Sequence, residues 1–210
     1  QACLRADRGR SERVSFLVGP YAKLKPSVER NAPGPRPGEW EERRMPQYFP
    51  EVSETIQYAG PKSKKALAFK HYNPKKKILG KTMAEHLKFS VCYWHTFKSV
   101  GSDPFGPGTM LRKYNEPADP MDQAKATMDA AFEFFTKLGV GHWCFHDHDI
   151  APEGATLAES NKNIDAMVKL AKKHQRATGV KLLWGTSNLF SNRRFMAGAA
   201  TNPSPEVYAY

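Results

Sequence analysis

Asp119-Pro-Met-Asp-Gln-Ala-Lys-Ala-Thr-Met-Asp-Ala-Ala-Phe-Glu-Phe-Phe-Thr-Lys-Leu-Gly139 runs directly into Val140-Gly-His-Trp-Cys-Phe-His-Asp-His-Asp149, and these two stretches decide the fold class. The first opens with a capping residue and a proline suited to the first helical position, and it closes on glycine. Between them Met121, Ala124, Met128, Ala131, Phe132, Phe135 and Leu138 recur at helical spacing, which predicts an amphipathic helix of about five turns. The second stretch is short, aromatic and apolar, then abruptly polar, which predicts a strand.

Outward from this pair the alternation continues. Before it, Lys88-Phe-Ser-Val-Cys-Tyr-Trp-His-Thr-Phe97 is dense in β-branched and aromatic residues on both faces, as expected of a strand buried in a parallel sheet. The loop Gly101-Ser-Asp-Pro-Phe-Gly-Pro-Gly108 follows it. After the central pair, residues 157–178 repeat the helical pattern through Ile164, Met167, Val168, Leu170 and Ala171, with Gly179 as the stop. Val180-Lys-Leu-Leu-Trp-Gly-Thr186 predicts a third strand, and residues 205–210 a further helical turn. The order is βαβαβ, for which parallel strands with right-handed crossovers are the physical default. The expected class is α/β, with a (β/α)₈ barrel as the architecture. A complete barrel takes roughly 250 residues and eight strands. About three βα units are legible here, so residues 45–210 are expected to be an N-terminal, incomplete part of such a domain, with the chain stopping early at Tyr210.

Residues 1–44 differ in kind. Pro33, Pro35 and Pro37 alternate with Gly34, Arg36 and Gly38, and the charged flanks lack apolar periodicity, which predicts a disordered basic extension. Val14 to Val18, interrupted by Ser15, is too short for a secretory core, and the acidic residues argue against an organelle transit peptide. Met45 reads like the start of a natural chain.

Composition excludes some functions. With 210 residues, 40% hydrophobic and 25% charged, the chain suits a globular protein, and no run approaches the roughly 20 apolar residues of a membrane span. The formal charge is +11. The lysines are dispersed and show no alternation with aromatics, so a solvated basic surface is expected and a nucleic-acid partner is not. Cys3, Cys92 and Cys144 are too few and too unevenly spaced for a disulfide framework or a paired-cysteine metal knuckle, which makes a reducing, cytoplasmic setting the expectation.

In a parallel barrel the site gathers at the C-terminal ends of the strands, where His95, His146, Asp149 and Trp184 would converge. Strand alternation pairs His146 with His148 on one face, so His146 meets Asp149 only if the strand ends near 147 and turns; Ile150-Ala-Pro-Glu-Gly154 is suited to that turn. An aspartate that orients a histidine tautomer is an acid/base arrangement. Two other readings stand beside it: a polar strand end with surface histidines, and a His146/His148 metal site in a metal-dependent barrel hydrolase. The aromatics Trp94, Phe105, Trp184 and Phe190 fall at or just after predicted strand ends. They read either as ordinary core or as walls that keep water from a reactive centre.

Six blocks settle which family the chain resembles. Leu67-Ala-Phe-Lys-His-Tyr-Asn73, Tyr93-Trp-His-Thr-Phe97, Asp103-Pro-Phe-Gly106, Phe145-His-Asp-His-Asp-Ile-Ala-Pro-Glu-Gly154, Lys181-Leu-Leu-Trp-Gly-Thr186 and Gly198-Ala-Ala-Thr-Asn-Pro203 together resemble xylose isomerase, in its longer-form branch. The resemblance spans essentially all of residues 45–210, in order and spacing. It implies a TIM barrel that interconverts D-xylose and D-xylulose with two divalent cations, Mg²⁺, Mn²⁺ or Co²⁺. It implies that His146 assists ring opening of the sugar, that Asp149 holds the His146 tautomer, and that Trp94, Trp184 and Phe190 wall the pocket. Thr186 would sit near the substrate hydroxyls, and Phe105 would enter a neighbouring subunit's site in a homodimer or homotetramer. D-glucose is a further possible substrate in that family. The family's metal ligands come from later strands, so none is expected before Tyr210, and the 210-residue chain alone is expected to lack isomerase activity.

Overall fold

The computed structural model describes residues 47–210; the basic extension expected over residues 1–44, and the methionine at 45, lie outside them. A small hairpin comes first, β1 (Lys77–Ile78) and β2 (Lys81–Thr82), joined by Leu79 and Gly80. Both loop residues have positive φ, 48° and 82°, the left-handed pair that a two-residue hairpin turn needs and that only the glycine adopts without strain. One helical turn follows, α1 (Met83–His86), capped reciprocally by Thr82 and Glu85.

The site rests on the next sheet. Its strands are β3 (Ser90–Cys92), β4 (His142–His146) and β5 (Lys181–Thr186), all parallel, in the order β3-β4-β5. Helix α2 (Pro120–Leu138) makes the first crossover. After β4 comes a single turn, α3 (Asp147–Ile150), and then α4 (Leu157–Thr178) makes the second crossover. A last turn is α5 (Pro205–Ala209).

Local chemistry explains the helix bounds. The Asp119 carboxylate accepts from the Asp122 N–H at 2.9 Å, Pro120 occupies the first turn, and Gly139 ends the helix at φ 74°. Thr156 caps α4 through the Glu159 N–H, and Gly179 ends it at φ 75°.

Apolar side chains on the helix side of the sheet make the core. Trp143 is fully buried among Tyr93, Phe132, Phe135 and Phe145, with ring centroids 4.9 to 6.0 Å apart. Gly185, paired with Phe145 across β4 and β5, is small by necessity, because a Cβ there would meet the Phe145 ring at 2.9 Å. Between α2 and α4 the buried His174 stacks on Phe132 and pairs with Asp129 at 2.7 Å.

Residues 48–56 are clamped to the back of α2. Glu133 accepts the Tyr48 and Phe49 N–H groups at 2.8 and 3.1 Å, while the Lys137 ammonium bridges Glu133 and the Phe49 carbonyl. The Ile56 N–H closes on the Lys137 carbonyl at 2.7 Å. Burial alone would push the Glu133 carboxyl up; the Lys137 ammonium and the two backbone donors outweigh it and hold the group below the ordinary glutamate value.

Two expectations are corrected. The strand expected across residues 88–97 spans only Ser90–Cys92: Tyr93 is already helical at φ −62°, ψ −43°, and residues 94–98 form a wide helical turn. A run apolar on both faces carries no period to separate strand from helix. The turn after β4 comes from residues 147–150, ahead of the Pro152 segment expected to make it. Among the described residues the sheet is open, with β3 and β5 each paired on one side, and no closed barrel is formed.

Candidate active site

Alternation along β4 sends Trp143 and Phe145 toward the helices and Cys144 and His146 to the opposite face. His146 is the last residue of β4, level with Thr186 at the end of β5. Because α3 begins at the next residue, Asp149 swings back beneath it. One carboxylate oxygen, Asp149 Oδ2, lies 3.0 Å from His146 Nδ1 and accepts the His146 backbone N–H at 2.7 Å. The two side chains are only 14% and 11% exposed. An ionised carboxylate can only accept, so facing it Nδ1 is the donor, which leaves Nε2 as the ring nitrogen that can take up a proton.

Three aromatic rings surround this imidazole. The centroid of Trp94 lies 4.5 Å away, Phe190 5.4 Å and Trp184 5.8 Å, the last two edge-on, and Trp94 and Trp184 are themselves 5.4 Å apart. The helical turn that shortens β3 is what carries Trp94 over His146. Of the residues singled out in the sequence, His146, Asp149, Trp94, Trp184 and Phe190 therefore gather in one place, with Thr186 beside them on the strand end.

Phe105 stands apart. It sits on the turn closed by Asp103, whose carboxylate accepts the Phe105 and Gly106 N–H groups, and its ring is 97% exposed. The His95 ring is tilted against that of Trp94 at 5.5 Å and, among the described residues, makes no hydrogen bond to Asp149 or His146. His148 leaves the strand with α3, so the common strand face that a His146/His148 metal pair would need does not exist. Its charged neighbours are Glu153 at 3.8 Å and Asp147 at 4.0 Å.

Several positioning residues were not foreseen. Asp147 Oδ1 accepts both the His148 N–H and the Asn188 N–H, each at 2.8 Å, and so ties the loop after β5 to the turn after β4. Asn188 in turn accepts the Phe190 and Ser191 N–H groups and donates to the Ser191 hydroxyl, which sets the loop that brings Phe190 to His146. Farther out, Glu153 takes hydrogen bonds from Arg194, Asn192 and Tyr210, and the Arg194 guanidinium lies 3.9 Å over the Tyr210 ring. Partial burial raises the Glu153 carboxyl, but Tyr210, Asn192, Arg194 and His148 together bring it below its ordinary value. Asp147 and Asn188 lie 41 residues apart, and only the polar pattern Ser187-Asn188 after a strand hinted at an Asx-type turn.

Among the described residues no three His, Cys, Asp or Glu side chains gather into a set that could hold a metal ion. The residues present therefore do not fit the pair of divalent cations that the resemblance implies. A cavity of about 540 Å³ lies at the other end of the strands, between Ser90, His142 and the apolar Phe69, Leu87 and Leu138. It is lined by no carboxylate, and the His146–Asp149 pair lies at the opposite end of the sheet. No helix among the described residues is long and apolar enough to cross a membrane.

Comparison with known proteins gives a consistent result, although no family model matches. The chain is 55% identical over 166 residues to the xylose isomerase of Thermoanaerobacterium thermosaccharolyticum, a match covering 79% of this chain and 38% of that protein. It is 53% identical over 163 residues to the xylose isomerases of Burkholderia vietnamiensis and Halalkalibacterium halodurans, covering 78% of this chain and 37% of each. The resemblance to xylose isomerases is thus shown over about four fifths of the chain, and the chain spans less than two fifths of the length of these curated relatives. Xylose isomerases are a TIM-barrel family.

Proposed function

We propose that this span, similar in sequence to part of a xylose isomerase, supplies the sugar-opening side of an aldose–ketose isomerase acting on D-xylose and D-xylulose. The observation that carries it is the His146–Asp149 pair at a strand end, walled by Trp94, Trp184 and Phe190. Its three parallel strands and their crossovers are read as the first βα units of the barrel.

The chemistry follows from the geometry. A cyclic pentose is inert to isomerisation until the bond between the ring oxygen and C1 opens, which requires a proton to leave the anomeric hydroxyl and one to reach the ring oxygen. His146 moves that proton through Nε2, and Asp149 keeps Nδ1 protonated and the ring fixed while it does so. The isomerisation that follows transfers a hydride between C2 and C1, and indole and phenyl walls keep water away from the carbons concerned. Thr186 binds substrate hydroxyls in this reading, which its register opposite His146 supports. Divalent cations would be held by residues outside this span. The exposed Phe105 supports the reading that this loop meets a second subunit in a dimer or tetramer. The unbridged thiols of Cys92 and Cys144 support a reducing, cytoplasmic setting.

A chimera tests the reading. The 166 matched residues of this chain, put in place of their counterparts in the Thermoanaerobacterium thermosaccharolyticum enzyme, should form D-xylulose from D-xylose in the presence of Mg²⁺. The unfused 210-residue chain should form none. A folded chimera without isomerase activity contradicts the proposal.

A further inference from the structure

Cys92 and Cys144 stand directly opposite each other in the register of β3 and β4, with their sulfurs 3.8 Å apart. We propose that they form a dithiol site that captures a trivalent organoarsenical.

Position, protonation and coordination number all favour this ligand class. Cys144 lies on the same strand face as His146, two residues before it, and is buried, while Cys92 is half-buried. Burial, with Cys92 beside it, raises the Cys144 thiol to about 11, so it stays a neutral thiol at neutral pH. That makes it a poor attacking thiolate for disulfide exchange. Capture of an arsenical has no such requirement, because each thiol proton leaves with a departing oxygen. No third His, Cys, Asp or Glu joins the two sulfurs among the described residues, so an ion that demands four protein ligands is not served. A monosubstituted arsenic(III) centre needs only two.

The step balances without an oxidant. In its hydrated form the arsenical carries one carbon substituent and two hydroxyls. Two As–O and two S–H bonds break, two As–S bonds form, and two water molecules leave; arsenic stays trivalent and both sulfurs stay at the thiol level. Once Cys92 holds the arsenic, closure onto Cys144 is intramolecular. That second bond raises retention by about 10²–10⁴-fold over a single thiol.

Phenylarsine oxide is the probe, and intact mass is the readout. In a Cys3→Ser background the pair are the remaining cysteines of the chain. One phenylarsenic per chain should survive excess glutathione and be released by 2,3-dimercaptopropanol. Cys92→Ala and Cys144→Ala should each cut retention by about 10²-fold or more. If the buried Cys144→Ala variant fails to fold by circular dichroism, the half-buried Cys92→Ala variant carries the comparison. Retention that persists in Cys92→Ala, or a Cys3→Ser chain that takes up no probe, overturns the proposal.

Discussion

His146→Ala in the active chimera should lower kcat/KM for D-xylose by about 10²–10⁴-fold, the contribution usual for a positioned acid/base group. The side chain stands at a strand end and is partly open, so its removal leaves the Trp143 core untouched and the chimera folded. Asp149→Asn should cost less, roughly 10- to 100-fold, and should act on kcat more than on KM. The amide no longer fixes Nδ1 as the donor, yet it leaves the aromatic walls that bind substrate in place. Steady-state kinetics on the two variants check both expectations. An alanine variant within a few-fold of the parent would remove His146 from the chemistry.

Trp143→Ala should be the most destabilising single change in the chain, at about 3–5 kcal/mol. The indole is fully buried and touches four aromatic rings that join the turn after β3, α2 and β4 itself. Domains of this kind are stable by only about 5–15 kcal/mol, so the loss consumes much of the total. Trp143→Phe should cost far less. Among the described residues the buried Trp143 Nε1–H has no acceptor, so phenylalanine removes an unsatisfied donor along with part of the volume. Urea unfolding followed by circular dichroism separates the two variants. Equal midpoints for Trp143→Ala and the parent would show that this residue is not the centre of the core.

How much of this could be read from the sequence depends on how local the cause was. The ends of α2 and α4 were legible because their signals are adjacent in the chain: Asp119 with Pro120, then Gly139, and Gly179 after Thr178. The three strands were legible as apolar runs bounded by such signals, but not their lengths, since nothing between Cys92 and Phe97 distinguishes extended from helical backbone. That error bears on the site, because Trp94 reaches His146 from the turn and not from a strand. The His146–Asp149 contact was foreseeable as a condition, a strand ending at about 147, while the helical turn that satisfies it begins inside the motif. What stayed hidden depends on contacts between distant parts of the chain. Asp147 holding Asn188, and Glu133 holding the Tyr48 and Phe49 backbone from 85 and 84 residues away, leave no periodic trace. The hairpin before α1 was also missed, although Leu79-Gly80 and the Thr82/Glu85 box carried its signal.

In the proposed function Asp149 holds the His146 ring with a proton on Nδ1, and Nε2 is the nitrogen that moves the substrate's proton. Long-range ¹H–¹⁵N correlation spectra of the histidine-labelled 210-residue chain read this directly, with His146 assigned by its loss in His146→Ala. A protonated Nδ1 and an unprotonated Nε2 are expected, with a change in that tautomer in Asp149→Asn. A ring protonated on Nε2, or a tautomer indifferent to Asp149, would contradict it.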